Sequence, residues 1–385
     1  MVRTTLLAGA ALLALAGPAP AQLLVTANDA KARLIGGQVV IAADPPPDSV
    51  SVFDISVFPP RPVAEVAAPA SVVGPPLSVA LTPDERLVLV TANQRIDPQD
   101  GTRTVPDNRL SVIDLRATPP AVVQTLETGR GPAGLSVNRA GTLALVANRE
   151  EGSVSVFRIR EARLEAVGKV EVAAANSGVS HVQFTPDGRH ALLTRDGDHH
   201  LGVLAIEGEA VRRLDRSFSA GTRPYSVVVA PDGRWAAVAN LGRNFGDEDT
   251  VSLIDLSGPP ERWRVVHTAT VGQSPEGLMV SPAGTMLAVV LVNGSNRAES
   301  WPFRGPGLVR TFRVEGMRLA PAGEGRIGSW SQGAAFSPDG RTLFVTNMVE
   351  HNMQAFAVAP DGALSERGPA VALPGGGAAI RTAER

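Results

Sequence analysis

A short strand–turn–strand unit recurs six times along this chain of 385 residues. In each copy an apolar run leads into a turn, often Pro-Asp-Gly, and a second apolar run follows that in most copies closes on Asn. Pro sets φ, Asp bonds to the turn backbone and Gly accepts a positive φ, so each turn indicates a hairpin. The turns begin at residues 83, 139, 186, 231, 282 and 338, which are 45 to 56 residues apart. Four strands with their loops need roughly 40–45 residues, so each repeat is predicted to be one blade of a β-propeller.

The two ends of the chain contain the pieces of a seventh unit. Residues 24–28 (LVTAN) match a second strand with no first strand before it, and residues 48–55 match the third strand. Residues 376–382 (GGAAIRT) match a first strand with nothing after it. Pairing of these ends would remove the exposed edges of an open sheet. We therefore predict an all-β fold, a single seven-bladed β-propeller over residues 22–385, closed by pairing of the N- and C-terminal strands in one blade.

The first 21 residues have the composition of a secretory signal peptide. Arg3 precedes an apolar run from Leu6 to Ala16, and residues 19–21 (Ala-Pro-Ala) place small side chains where a signal peptidase cleaves. The run has roughly half the length that spans a bilayer, and no other stretch approaches that length. We expect cleavage before Gln22, a periplasmic or secreted protein, and no membrane anchor.

Composition excludes several kinds of site. The chain has no cysteine, which removes disulfides, thiolate nucleophiles and thiolate metal centres. The formal net charge is −2, so no cationic field attracts nucleic acid. We expect no cofactor, no nucleic-acid partner and a monomer.

Candidate site residues lie where first strands open and second strands end, which is one face of the ring, here called the top face. Small residues dominate the opening positions, so the large polar side chains there are conspicuous. They are His181, Tyr225, Glu276 and Gln332. Arg223 and Trp330 each lie two residues before one of them. We expect an axial pocket that binds a small molecule, a glycan or a partner protein.

Two further candidates for ligand binding, Arg195 and Asn240, close second strands at the same face. Each candidate also has a structural interpretation. His181 could bond to a neighbouring blade, Glu276 and Arg223 could form an ordinary ion pair, and Trp330 could pack against the top face.

Asp196, Asp198, His199 and His200 place two carboxylates and two imidazoles within five residues, which could bind a divalent ion. Adjacent histidines on a strand point in opposite directions. We therefore expect a solvated loop here and no metal site.

The VTAN, VAN and VTN closings and the PDG turns resemble those of the YVTN-repeat β-propellers, over residues 23 to 383. Relatives of that family include propeller-type 6-phosphogluconolactonases and the heavy chains of quinone amine dehydrogenases. For a lactonase, the resemblance implies His181 as general base, Arg223 as the cation that stabilises the oxyanion, and Glu276 as orienting group or acid. Two positions depart from the family pattern: Tyr225 stands where a second histidine is expected, and Asn240 where an acid is expected.

Four functions remain open from the sequence. We favour an exported binding or scaffold propeller that uses the top-face pocket. The alternative is a lactone hydrolase that acts on a periplasmic sugar or aromatic lactone. An electron-transfer partner would need a separate cofactor-bearing chain. A binder of single-stranded nucleic acid would need aromatic platforms and a cationic groove, which the 16 aromatic residues and the net charge disfavour.

Overall fold

A computed structural model describes residues 22–384, which are almost entirely β-structure. The predicted signal peptide, residues 1–21, lies outside the described residues. Between residues 22 and 384, no helix is long and apolar enough to cross a membrane. Two short 3-10 helices occur, at Ala175–Ser177 and Pro260–Arg262.

The strands follow one another along the chain as short antiparallel elements. The first half comprises β1 (Leu23–Asp29), β2 (Ala32–Ile35), β3 (Gln38–Ile41), β4 (Ser49–Asp54), β5 (Arg61–Ala67), β6 (Val79–Leu81), β7 (Leu87–Thr91), β8 (Gln94–Asp97), β9 (Asp100–Pro106), β10 (Arg109–Asp114), β11 (Ala121–Glu127), β12 (Pro132–Val137), β13 (Leu143–Asn148), β14 (Ser153–Arg160), β15 (Arg163–Glu171), β16 (Val179–Phe184) and β17 (His190–Arg195). The second half comprises β18 (His200–Glu207), β19 (Ala210–Phe218), β20 (Pro224–Val229), β21 (Trp235–Asn240), β22 (Asp249–Asp255), β23 (Arg264–Gly272), β24 (Pro275–Val280), β25 (Met286–Leu291), β26 (Gly307–Glu315), β27 (Arg318–Ile327), β28 (Ser331–Phe336), β29 (Thr342–Asn347), β30 (Asn352–Val358), β31 (Leu364–Glu366), β32 (Val371–Ala372) and β33 (Gly376–Thr382).

These strands form seven blades arranged in a ring. From the innermost strand outward, blade 1 is β6-β7-β10-β11, blade 2 is β12-β13-β14-β15, blade 3 is β16-β17-β18-β19, blade 4 is β20-β21-β22-β23, blade 5 is β24-β25-β26-β27, and blade 6 is β28-β29-β30 with β31 and β32 both paired to β30. The closing blade is β33-β1-β4-β5, so the last strand of the chain is its innermost strand.

The predicted closure of the ring is confirmed. Strand β1 pairs antiparallel with β33, with Leu24 opposite Thr382 and Asp29 opposite Gly376. Strand β33 in turn lies between the inner strands of blades 1 and 6. The chain therefore folds as a seven-bladed β-propeller without a free sheet edge at the junction of its ends.

The hydrophobic core lies between neighbouring blades rather than at one centre. Leu145 of blade 2, for example, packs in one cluster with Val182 and Phe184 of blade 3. Strands in such a position are covered on both faces, and β13 is buried over its whole length. This explains why the second strands are continuous apolar runs rather than alternating ones.

The Asn that closes a second strand joins that strand to the third. The amide of Asn148 donates to Oγ of Ser153 (2.9 Å) and to Oγ of Ser155 (3.0 Å). The same two-acceptor arrangement occurs in three other blades, at Asn28 with Ser49 and Ser51, at Asn240 with Thr250 and Ser252, and at Asn347 with Asn352 and Gln354. The signature Asn therefore has a structural role in the blade.

A β-bulge occurs where the inner strand opens in blades 2 to 6. In blade 4 the pairing moves from Pro224 opposite Asn240 to Val227 opposite Val238, which leaves Tyr225 unpaired. The unpaired bulge positions are 133–134, 180, 225–226, 276 and 332–333. A bulge bends the strand and changes the direction of its side chains. In blade 5, Leu291 holds the register position that Asn holds in blades 2, 4 and 6.

Two of the long segments on the top face contain regular structure. Strands β2 and β3 form one hairpin, and β8 and β9 form another. The tip of the first hairpin, at Gly37, has φ of 80° and lies against the backbone of Arg297 and Ala298. The hairpin thus reaches from the closing blade to the segment between β25 and β26 of blade 5. Only a glycine can come this close to that backbone.

Candidate functional site

Six polar side chains from blades 2 to 6 meet at the top end of the axis. This top-face cluster consists of Arg149, Asp196, Arg223, Tyr225, Glu276 and Gln332. Three of its members, Tyr225, Glu276 and Gln332, occupy bulge positions. The bulges direct large side chains toward the axis, where regular pairing would place them between the blades.

Asp196 holds two arginines of the cluster together. It is 2% exposed, and its carboxylate accepts from Nη1 (2.5 Å) and Nη2 (2.9 Å) of Arg149, from Oγ of Ser180 (2.7 Å) and from Nη2 of Arg223 (3.0 Å). Burial opposes its ionisation, but the guanidinium groups and the hydroxyl outweigh this and hold the pKa of Asp196 below its usual value. The prediction that Asp196 belongs to a solvated loop is therefore wrong.

Tyr225, the only tyrosine of the chain, packs beneath one of these arginines. The guanidinium carbon of Arg149 lies 5.8 Å from the centre of the ring, within the range of a cation–π contact. The backbone carbonyl of Tyr225 accepts from Oγ1 of Thr194 in blade 3 (2.7 Å). Burial raises the pKa of Tyr225 above its ordinary value, so its phenol is neutral at physiological pH.

Glu276 is a half-buried carboxyl that titrates near neutrality. Burial raises its pKa to about 7, while Gln332 and Arg223 act in the opposite direction. Arg223 forms its ion pair with Asp196 and not with Glu276. A carboxyl with a pKa near the working pH can both take up and release a proton, as a general acid or base must.

Gln332 lies beside Glu276 and is completely buried. Neither its Nε2 nor its Oε1 atom has a well-formed hydrogen bond within residues 22–384. An unsatisfied buried amide is costly and rare in folded proteins.

His181 lies inside the axial core and has no solvent-exposed surface. Its Nδ1 atom accepts from the backbone N–H of Val227 in blade 4 (3.4 Å), and its ring packs against Gly134 of blade 2. Burial, assisted by the positive charge of Arg381, holds the pKa of His181 well below 6.5. The structure thus places a neutral histidine between two neighbouring blades, and not at the open end of the cluster.

The other predicted ligand-binding residues lie outside the cluster. Arg195 pairs through Nε with the carboxylate of Asp198 (3.0 Å). The Asn240 amide joins the second and third strands of blade 4. Trp330, with φ of 50°, is buried in an apolar cluster that includes Val292 and Met348.

Three of the four residues considered for a metal site have partners outside the group, and Nδ1 of the fourth, His200, donates to the backbone carbonyl oxygen of Asp198 (2.6 Å). Asp196 bonds to two arginines and Asp198 to Arg195, while Nδ1 of His199 accepts from the backbone N–H of Arg223. Nowhere in the range 22–384 do three or more histidine or carboxylate side chains form a group that could hold a metal ion.

Sequence reasoning missed Arg149 and the role of Asp196. Both residues directly follow a second strand, Arg149 after Asn148 and Asp196 after Arg195. The residues after second strands lie on the top face, so this position was a usable signal. The ion pair that joins them across two blades was not visible in either repeat alone.

A separate cleft lies between the closing blade and blade 1. It has a volume of about 460 Å³ and its polar lining includes Lys31, Asp48, Arg95 and Arg109. The amine of Lys31 is buried and pairs with Asp48 (2.9 Å). This cleft is not part of the top-face cluster.

Seven closed blades with polar side chains gathered at one axial end define the chain as a seven-bladed β-propeller with a candidate binding site on its top face. No family model and no curated protein sequence matches the chain. Its similarity to known proteins is therefore visible in the fold.

Solved structures with this fold include proteins named as lactonases. A proposed 6-phosphogluconolactonase from Bacteroides uniformis superposes with a TM-score of 0.71 at 16% identity, over 94% of this chain and 99% of that one. One from Bacteroides fragilis has a TM-score of 0.70 at 17% identity, over 96% and 100%. The periplasmic gluconolactonase of Pseudomonas aeruginosa has a TM-score of 0.67 at 20% identity, over 94% and 99%. The predicted resemblance to lactonase-type propellers is confirmed at the level of the fold.

Proposed function

We propose that the protein binds a small sugar acid, or the corresponding lactone, in the top-face cluster. The observation that carries the proposal is the juxtaposition of the half-buried carboxyl of Glu276, with the amide of Gln332 beside it, and the guanidinium group of Arg223. A carboxylate suits the hydroxyl groups of a sugar, because each of its two oxygens can accept hydrogen bonds from them. A guanidinium group suits a carboxylate or a polarised carbonyl.

A second candidate is hydrolysis of the bound lactone, which the near-neutral pKa of Glu276 favours. In this reaction a water molecule gives a proton to the Glu276 carboxylate while its oxygen bonds to the lactone carbonyl carbon. The negative charge that develops on the carbonyl oxygen is stabilised by Arg223. The ring C–O bond then breaks, and the leaving oxygen takes the proton from Glu276. We assign the base to Glu276 rather than His181, because His181 is closed off from solvent.

We also propose that the protein is exported to the periplasm. The composition of residues 1–21 supports this, as does the periplasmic location named for the Pseudomonas aeruginosa structure. Fractionation of cells that express the full chain, with N-terminal sequencing of the product, tests it. A cytoplasmic protein that retains residues 1–21 contradicts the proposal.

Calorimetric titration of residues 22–385 with gluconate and with glucono-1,5-lactone tests binding, and proton release in a pH-stat tests hydrolysis. Arg223→Gln is expected to weaken binding of gluconate at least about tenfold, because one charge-assisted contact is lost. Glu276→Gln is expected to abolish hydrolysis and retain binding. Glu366→Gln, a change of an exposed carboxylate on β31, is the matched control. Binding that is unaffected in both cluster variants contradicts the assigned site.

A further inference from the structure

Arg381 is a buried arginine without an ion-pair partner among residues 22–384. It lies on β33, the inner strand of the closing blade, and is 4% exposed. Its Nη1 atom donates to the carbonyl of the adjacent Ile380 (3.2 Å), and its Nη2 atom has no partner within residues 22–384. No carboxylate of that range lies within ion-pair distance of its guanidinium group. The closing blade thus brings an uncompensated charge into the axial core.

Burying a charge without a counterion is strongly unfavourable. Burial lowers the pKa of Arg381 to about 10, so the side chain remains protonated at neutral pH. The carboxylate whose charge acts on Arg381 is that of Glu384, which raises the pKa of the guanidinium group and so opposes the effect of burial. The side chain of Glu384 is exposed. Its Oε2 atom is already bonded to Nε2 of Gln183 (2.9 Å).

The surroundings of Arg381 offer further hydrogen-bond donors, and the carboxylate that lines the same cavity, Glu384, is exposed and bonded to Gln183. Ser136 of blade 2 lines the same small cavity, and its buried hydroxyl has no hydrogen-bond partner. His181 lies close enough for the charge of Arg381 to lower its pKa. Since Nδ1 of His181 accepts from Val227, the proton of the neutral ring is on Nε2, which has no well-formed hydrogen bond although the Leu135 backbone is near.

The cavity that Arg381 and Ser136 share has a volume of about 10 Å³. This is room for a single small ion or molecule. Its lining includes Ala80, Leu135 and Thr382 along with Glu384. A single monatomic anion would neutralise the guanidinium group and accept from the serine hydroxyl.

We propose that this axial cavity binds one halide ion, chloride under physiological conditions, through Nη2 of Arg381 and Oγ of Ser136. The ion joins the closing blade to blade 2 from inside the ring. It therefore stabilises the closed propeller. The proposal is independent of the top-face cluster and of any reaction there.

Diffraction from crystals soaked in sodium bromide tests the site directly. The expected result is an anomalous peak within about 3.5 Å of Nη2 of Arg381 and of Oγ of Ser136. Weak density without an anomalous signal at this position identifies a water molecule and overturns the proposal.

Thermal unfolding in sodium chloride and in sodium methanesulfonate at equal ionic strength tests the energetic role. Methanesulfonate is too large for the cavity, so chloride is expected to raise Tm by about 2 °C or more. The difference is expected to vanish in Arg381→Met and to require several-fold more chloride in Ser136→Ala. If Arg381→Met does not fold, Ser136→Ala and the wild-type bromide crystals still decide the question.

Glu384→Gln separates a bound halide from a side-chain counterion. With a halide in the cavity, removal of a nearby negative charge is expected to lower the chloride concentration needed for half of the stabilisation. If Glu384 itself neutralises Arg381, the variant has a lower Tm in both salts and no chloride dependence. That outcome, or equal wild-type Tm values in the two salts, overturns the proposal.

Discussion

The carboxylate of Asp196 accepts a hydrogen bond of 3.0 Å from Nη2 of Arg223 across the boundary between blades 3 and 4. The same carboxylate binds Arg149 of blade 2, so one buried anion positions two cations at the top of the axis. The orientation of the candidate ligand-binding guanidinium group therefore depends on a residue that is itself almost completely buried.

Asp196→Asn is expected to lower the free energy of unfolding by about 2–3 kcal/mol, because two partly buried arginines lose their counterion. The figure lies at or below the lower end of the range for buried pairs, since the side chains of Arg149 and Arg223 retain 22% and 31% of their exposure. Urea unfolding measures the change. Asp215→Asn, on the exposed side of β19, is the control and is expected to be neutral. Equal stability of the two variants would show that the pairing is energetically unimportant.

Stability and hydrolysis are expected to depend on pH in opposite directions through Glu276. Because folding raises the pKa of this carboxyl from 4.5 to about 7, the folded state holds the proton more tightly than the unfolded state. Its contribution to stability is full below about pH 4.5 and is lost as the pH rises through about 7. Hydrolysis instead needs the carboxylate and rises through the same range.

Chemical denaturation at pH 5 and pH 8 measures the first effect and initial rates of lactone opening measure the second. Glu276→Gln is expected to reduce the pH dependence of stability by about 1–2 kcal/mol. Asp249, whose pKa burial raises to about 6, retains its own contribution in the same direction. An unchanged stability profile in Glu276→Gln would contradict the raised pKa.

Asn240→Ala separates structure from ligand binding. The substitution removes hydrogen bonds to Thr250 (2.9 Å) and Ser252 (3.0 Å), which are part of blade 4. We expect a loss of about 1–2 kcal/mol of stability and an unchanged Kd for gluconate, measured by denaturation and by calorimetry. A large increase in Kd at constant stability would instead place Asn240 in the binding site.

Gly134→Ala is expected to destabilise the protein by about 1–3 kcal/mol. A Cβ atom at this position would lie 2.5 Å from Cδ2 of His181 and 2.9 Å from the carbonyl oxygen of Ser180. Gly168→Ala on β15 is the matched control, since nothing lies within 4 Å of its added carbon. Thermal unfolding of both variants measures the difference. Equal Tm values would show that the histidine can move without cost.

The fold could be predicted because the chain repeats one structural unit, so the same local sequence pattern occurs several times. The opening positions of Tyr225, Glu276 and Gln332 could be aligned for the same reason. Their common direction toward the axis depends on β-bulges. The amino-acid composition of a strand does not show where a bulge occurs.

The ion pairs of Asp196 could not be predicted from its own sequence neighbourhood. The adjacent Asp198, His199 and His200 suggested a hydrated loop, whereas the deciding partners, Arg149 and Arg223, come from two other blades. Such contacts depend on the angle between successive blades around the axis of the ring. The hairpins β2–β3 and β8–β9 were missed because their strands contain charged and glycine-rich segments without regular alternation.

Because β33 is the innermost strand of the closing blade, the ring becomes complete only after synthesis has passed Gly376. A product that ends before this point keeps the inner edge of β1 open, along with the flanks of its neighbours, and such edges pair readily with other chains. The architecture thus makes full-length translation a condition of solubility, and a prematurely terminated polypeptide would be expected to aggregate rather than persist as a shorter, partly working molecule.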